Sequence, residues 1–327
     1  MRTAFIEALY ELAEQDRRIW LLTGDLGYSV LERFASHFPD RFVNVGVAEQ
    51  NMMGVATGLA LCGNVVFTYS IANFPTIRCL EQIRNDVCYH NLNVKVVSVG
   101  GGLAYGSAGY THHAVEDIAV MRTMPNMTVV APGDPVETVL ATRAVASHHG
   151  PCYLRLGKAG EPTVHESPPD FQIGKALVVR QGRDITLVST GGMLNTAMEV
   201  AQLLNHDGIS ARILSMHTVR PIDRKSLLLA MQETNYLVCL EEHGISGGLA
   251  SAVAEALLLN SGFISPIPLY QFGLASDTYL SVGSQSYLHS INGLTSKQIA
   301  ERILALMKNR HHLVKGEFNL MEKGEHT

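Results

Sequence analysis

The chain reads as an α/β protein built from two doubly wound domains, a parallel-sheet unit followed by a smaller one. Three observations predict this. Short apolar runs alternate with stretches of helical periodicity along almost the whole chain. Asp25, Glu49, Phe74 and His112 each stand just after such a run, where open α/β sheets bind their ligands. A polar stretch with three prolines, Glu161–Phe171, separates two parts that each show the alternation.

The first residues form a helix with Phe5, Leu9, Leu12 and Ala13 on one face. Ile19–Thr23 is an apolar run stopped by Gly24-Asp25, the pattern of a buried parallel strand ending in a loop. Val30–Phe38 is helical, and Pro39-Asp40 breaks it. Phe42–Val45 is the second strand. Met52–Leu61 is helical up to Cys62-Gly63, which leaves Glu49 near a helix start. Asn64–Tyr69 is the third strand, followed by a loop over Ser70–Pro75. The helix Thr76–Tyr89 carries Ile77, Leu80, Ile83 and Val87 at core spacing. Asn93–Val99 is the fourth strand, and the glycine-rich loop Gly100–Tyr110 leads to His112-His113. Val115–Arg122 is a short helix, Met127–Ala131 a strand, Pro135–Ser147 a helix and Cys152–Leu156 a strand.

Beyond the linker, strands are predicted at Ile185–Ser189, Ala211–Ser215, Tyr236–Leu240 and Ile267–Phe272. Helices are predicted at Leu194–Asn205, Arg224–Glu233, Gly247–Ser261 and Ser296–Lys308. The expected boundaries are 1–165 for the first domain, 172–309 for the second, and a frayed polar tail over 310–327.

Composition narrows the function classes. Apolar residues make up 46% and charged residues 17%, which suits a well-buried enzyme. A net charge of −5 with no basic block argues against nucleic acid. No long apolar run and no secretion-type amino terminus occur, so a cytoplasmic protein without membrane contact is expected. Cys62, Cys79, Cys88, Cys152 and Cys239 contain no C-x-x-C pair and read as buried free thiols. The paired histidines lack ligand spacing, so no metal site built by this chain is expected.

Glu49 is the first candidate for chemistry. An acid at a helix start ordinarily serves as a cap or macrodipole partner. Here Gly46, Gly54 and Gly58, with Ala48, Ala56 and Ala60, let another backbone come close. A carboxyl stripped of water in this way can share a proton with a cofactor nitrogen.

Several ordered motifs then carry a resemblance. N-V-G-V-A-E-Q-N-M-M-G-V-A-T-G-L-A, R-C-L-E-Q-I-R-N-D-V, A-G-Y-T-H-H-A-V-E-D-I-A, P-N-M-T-V-V-A-P and E-E-H-G-I-S-G-G-L-A-S-A-V-A-E occur in this order. Over roughly residues 1–308 the chain resembles the pyrimidine-binding and carboxyl-terminal domains of the transketolase family, and is similar to deoxyxylulose-phosphate synthase. The resemblance implies that Glu49 hydrogen-bonds the aminopyrimidine of thiamine diphosphate and sets the tautomer that takes the proton from the thiazolium ring. It implies that Phe74 stacks on that pyrimidine and that Asp25 is the loop acid near the cofactor. His112 would line the substrate channel and Arg78 would face the substrate, while for the adjacent His113 both a part in the site and an orientation away from it stay open. The alternative for Arg78 is a helix arginine paired with Glu81. Arg155 and Lys158 lie where relatives place a cation for a substrate phosphate. Where the family has an Asp four residues before the histidine, this chain has Ala108. One acceptor for sugar hydroxyls is lost, which points away from the common pentose phosphates. Glu241-Glu242-His243 and Gly247-Gly248 fall in the domain that relatives use for packing.

The resemblance also implies a partner. The family grips the diphosphate through Mg²⁺ with a G-D-G motif and a later N-N, and Gly24-Asp25-Leu26 is not that motif. The expectation is an amino-terminal subunit that holds Mg²⁺ and the diphosphate, in an α2β2 assembly that transfers a two-carbon ketol unit between sugars. Two alternatives share the fold: the β subunit of a 2-oxo acid dehydrogenase, and a non-catalytic regulatory subunit.

Overall fold

A computed structural model describes residues 1–258, 267–275 and 280–308. The predicted tail and the end of the helix expected over Gly247–Ser261 lie outside the described residues. In the first half, helix α1 (Arg2–Gln15) precedes strand β1 (Ile19–Thr23), and α2 (Glu32–His37) precedes β2 (Phe42–Asn44). Then come α3 (Glu49–Leu61), β3 (Val65–Ile71), a helical run over residues 77–88 that we label α4, and β4 (Val94–Val99). Helix α5 (Asp117–Thr123), β5 (Thr128–Val130), α6 (Pro135–Ser147) and β6 (Cys152–Leu156) complete the unit.

Each strand is fixed by its burial. β1, β4 and β6 are covered on both faces and consist of apolar residues with few interruptions, as parallel central strands require. One face is covered by α1 and α6, where Phe5, Leu9, Leu21, Phe67 and Leu154 meet. The other lies under α3, α4 and α5, where Met52, Met53, Ile83, Val87 and Val96 meet. Each such side chain taken from water contributes about 1.5–3 kcal/mol before entropy is counted. Helix α6 starts where Asp134 accepts the Glu137 amide at 2.7 Å and Pro135 fills the first turn.

The second half runs β7 (Leu177–Arg180), β8 (Ile185–Ser189), α7 (Met193–His206), β9 (Ala211–Ser215), β10 (Thr218–Arg220), α8 (Arg224–Glu233), β11 (Leu237–Gly244), α9 (Leu249–Leu258), β12 (Leu269–Leu274) and α10 (Gln285–Ile291). Residues 296–308 are helical as predicted. Its five-stranded sheet has the order β12-β11-β8-β9-β7, parallel except for β7. No helix among the described residues is long and apolar enough to cross a membrane.

Four features differ from expectation. β7 and α10 were not anticipated, because each is short and weakly patterned. β11 extends through Glu241-Glu242-His243, where its register with β12 shifts between Leu240 and Gly244, and these buried polar side chains find partners in the rest of the fold. α4 is helical but uneven, with 3₁₀ geometry over Ile77–Cys79, one α turn at Leu80–Gln82 and π geometry over Ile83–Cys88. Most consequentially, β10 leaves the second half and pairs antiparallel with β5, so the first sheet has seven strands in the order β10-β5-β6-β4-β3-β1-β2. The two domains are stitched by a strand as well as by a linker.

Candidate active site

The carboxyl ends of β1, β2 and β3 converge on Glu49. Its side chain is 1% exposed, at the first residue of α3. Oε1 accepts the Ser70 hydroxyl at 3.1 Å, and Oε2 accepts Arg78 Nη1 at 2.7 Å. Gly24, at the end of β1, leaves room for this carboxyl: a Cβ there would stand 3.0 Å from Glu49 Oε1. Ser70 was expected in a loop. It instead lies inside β3, one residue before the strand ends, with Thr68 on the same face, and its hydroxyl reaches Glu49.

Phe74 is half-buried and is fixed from both sides. Ala72 O accepts the Ser98 hydroxyl at 2.6 Å and the Thr76 hydroxyl at 2.8 Å. The Asn73 amide donates to His113 O and so ties this loop to the histidine loop. The His112 ring then meets the Phe74 ring edge-on, with centroids 5.1 Å apart. His112 Nδ1 lies 2.9 Å from the Thr111 hydroxyl, which leaves Nε2 for another partner. His113 points away from the His112 ring's side of the loop into the interior. It is buried, with Nε2 3.2 Å from Gly106 O, and it anchors the glycine-rich loop.

The line of rings continues past His112. The Tyr105 ring lies 6.3 Å from it, and Lys158 Nζ stands 4.5 Å over Tyr105. Tyr105 rests on Gly100, where φ is +85° and a Cβ would come within 2.2 Å of the ring. Sequence reasoning missed Ser70, Asn73 and Tyr105. The only available signal was their place at strand ends or in a glycine-rich loop.

Asp25 is exposed and adopts φ 57°. Its carboxylate accepts the Asn44 side-chain amide at 3.0 Å, and Asn44 Oδ1 accepts the Asp25 amide at 3.0 Å. This exchange clamps the ends of β1 and β2, one residue from the Gly24–Glu49 contact.

Two arginines stand differently from expectation. Arg78 does not pair with Glu81. Its guanidinium reaches back to Glu49 and lies 4.3 Å over the Phe74 ring. Arg155 is not at the mouth. It is 5% exposed, and its guanidinium donates to Asp117 at 2.7 Å and to the carbonyls of Ala114 and Glu242 at 2.9 Å. Three protein acceptors leave this cation a structural part of the domain seam, on the wall of a cavity of about 250 Å³.

The rest of the seam is equally buried. Burial alone would raise the Asp117 carboxyl, but the Arg155 guanidinium, the His243 ring and the Tyr153 hydroxyl together hold the group below its ordinary range. Burial pushes Glu241 up to about 7 although the Leu249 and Ala250 amides donate to it at 2.6 and 3.0 Å. Burial lowers His243, whose Nε2 accepts the Ala119 amide at 3.3 Å. Glu242 accepts His289 at 2.6 Å, Gln285 at 2.9 Å and the Leu103 amide at 3.1 Å. Cys79, Cys88, Cys152 and Cys239 are buried free thiols, whereas Cys62 is exposed.

Comparison with known proteins agrees with this geometry. Residues 1–161 match the pyrimidine binding domain of transketolase, and residues 174–299 match the transketolase C-terminal domain. A 6-deoxy-6-sulfo-D-fructose transketolase subunit from a Clostridium species is 38% identical, over 91% of this chain and 92% of that protein. An apulose-4-phosphate transketolase subunit from Phocaeicola vulgatus is 36% identical, over 94% of this chain and 97% of that one. A solved split-gene transketolase, described as an inactive β4 tetramer, superposes with a TM-score of 0.83 at 38% identity. That match covers 93% of this chain and 96% of the other. The transketolase of Campylobacter jejuni shares the fold, with a TM-score of 0.76 at 18% identity over 93% of this chain and 46% of that one. This chain belongs to the transketolase family.

Proposed function

We propose that this chain is the pyrimidine-binding subunit of a two-subunit transketolase that moves a two-carbon ketol unit between sugar or sugar-phosphate substrates. The observation that carries the reading is the buried Glu49 carboxyl at the foot of a wall formed by Phe74, His112, Tyr105 and Lys158. When bound, thiamine diphosphate supplies the carbon nucleophile and electron sink. The chain's own residues do the rest. Glu49 hydrogen-bonds the pyrimidine and holds or returns its proton. The Ser70 hydroxyl keeps the carboxyl turned toward the mouth. Phe74 offers its face for stacking, and Asp25 with Asn44 holds the loop beside the cofactor. Thr111 orients His112 so that Nε2 meets a substrate oxygen. Lys158 is exposed at the far end and suits a phosphate or similar anion.

Among the described residues no three His, Cys, Asp or Glu side chains form a group that could hold a metal. Gly24-Asp25-Leu26 does not match the family's diphosphate motif, and on that ground we assign Mg²⁺ and the diphosphate to an amino-terminal partner subunit, in an α2β2 assembly. The face around the mouth is suited to that contact. Gly54 and Gly58 on α3 have open space beside them, and Val47 is 75% exposed. The inactive β4 assembly described for the similar split-gene protein fits a need for the second subunit. Ala108, in the turn that follows Tyr105, and the uncommon ketoses in the names of two relatives support a substrate other than the usual pentose phosphates.

The test is reconstitution with the partner subunit, thiamine diphosphate and Mg²⁺. Ketol transfer between sugars is expected. Oxidative decarboxylation that needs a lipoyl domain, or intact assembly without turnover, would refute the reading.

A further inference from the structure

The two groups assigned to the pyrimidine are already engaged by one side chain. Arg78 Nη1 lies 2.7 Å from Glu49 Oε2, and its guanidinium carbon lies 4.3 Å over the Phe74 ring. A guanidinium is planar, carries N–H donors at its edge and stacks on aromatic faces. An aminopyrimidine is also planar, stacks through its face and meets a carboxyl through its edge. The two compete for the same oxygen and the same ring. Resting on the function proposed above, we infer that Arg78 is a displaceable stopper of the pyrimidine site, which must turn outward before the cofactor enters.

The setting makes such a movement feasible. Arg78 is 42% exposed while Glu49 is 1% exposed, so the cation has a path to solvent and the acid does not. A lone buried acid is costly, and Arg78 removes that cost in the cofactor-free subunit. Glu49 keeps the Ser70 hydroxyl when Arg78 leaves. The arginine backbone amide is held only loosely, 3.3 Å from Asn73 O. Turned outward, the guanidinium enters the same mouth as His112 and Lys158. Loading the cofactor and presenting a second cation to an anionic substrate are then one movement.

The experiment uses the full chain assembled with its partner subunit, with thiamine diphosphate and Mg²⁺ as probe. Calorimetry reads affinity and stopped-flow fluorescence reads the loading rate. If the closed form predominates by about ten to one, Arg78→Met should bind about tenfold tighter and load correspondingly faster. Arg78→Lys, which keeps the charge and loses the plane, should fall between. The cofactor-free Arg78→Met chain should melt below wild type and gain more on adding cofactor. Unchanged or weaker affinity together with a wild-type loading rate in Arg78→Met overturns the stopper. Glu49→Gln and Phe74→Ala, each placed in the Arg78→Met background, separate this from the parent reading. If they weaken binding while Arg78→Met gives no gain, only the stopper fails. If they leave binding unchanged, the site assignment itself is wrong.

Discussion

Among the described residues, two buried carboxylates each pair with an arginine, and they behave as opposites. At the mouth, Glu49 meets Arg78, whose side chain is 42% exposed and which has one carboxylate and one ring as partners. In the seam, Asp117 meets Arg155, which is 5% exposed and is also held by two carbonyls. The ion-pair chemistry is the same. What differs is how many partners each cation has and how much water reaches it. A pair open on one side can be remade around a ligand. A pair nearly closed to water can only hold the domains together, and breaking it leaves a buried charge short of a partner.

The sharpest way to break this comparison is at Glu49. Glu49→Ala should lower the rate of proton exchange at the cofactor's thiazolium carbon by about 10²–10⁴-fold while the chain stays folded. An unchanged exchange rate would remove Glu49 from the chemistry. Next in size is Asp117→Asn, which should cost about 3–5 kcal/mol of stability by stranding Arg155, as read from urea unfolding. A loss no larger than that of a surface pair would mean the seam is less closed than it looks.

Glu241 sharpens the contrast through pH. Its folded value of about 7 lies above the ordinary 4.5, so the folded state holds its proton more tightly than the unfolded one. Its stabilising contribution is complete below the ordinary value and is lost as pH rises through about 7. The unfolding free energy read from urea titrations should therefore fall between about pH 5 and pH 8 by an amount on the order of 1–3 kcal/mol, and Glu241→Gln should flatten that slope. The smallest effect is expected in the turn that follows Tyr105. Ala108→Asp restores an acceptor and should shift kcat/KM toward ordinary ketose phosphates by about tenfold, as measured on a substrate panel. No shift would mean that other residues set the substrate.

Much of this was legible beforehand, for a reason visible in individual elements. β1, α6, β6, β8, β9 and α8 have the boundaries that periodicity and capping residues predicted, because each is specified by its own neighbours in sequence. The meeting of Glu49, Phe74 and His112 followed from their places after parallel strands. Arg78 was harder. Helical spacing offered Glu81, but the side chain turns toward an acid 29 positions away and lies over the Phe74 ring, partners that no local pattern names. Arg155 reads as a cation near a strand end, and only the approach of β11 and α5 shows that it is sealed. The passage of β10 into the other sheet leaves no local mark, since three extended residues look alike in either sheet.

By itself, the sequence determined the layers, the strand ends and the set of reactive side chains offered there. Those depend on which residues prefer burial two or about four positions apart, and that information is local. The tertiary structure alone decided which cation answers which acid, and whether water reaches the pair. Those outcomes depend on side chains brought together from distant parts of the chain, where a few ångströms of approach separate a ligand site from a structural joint.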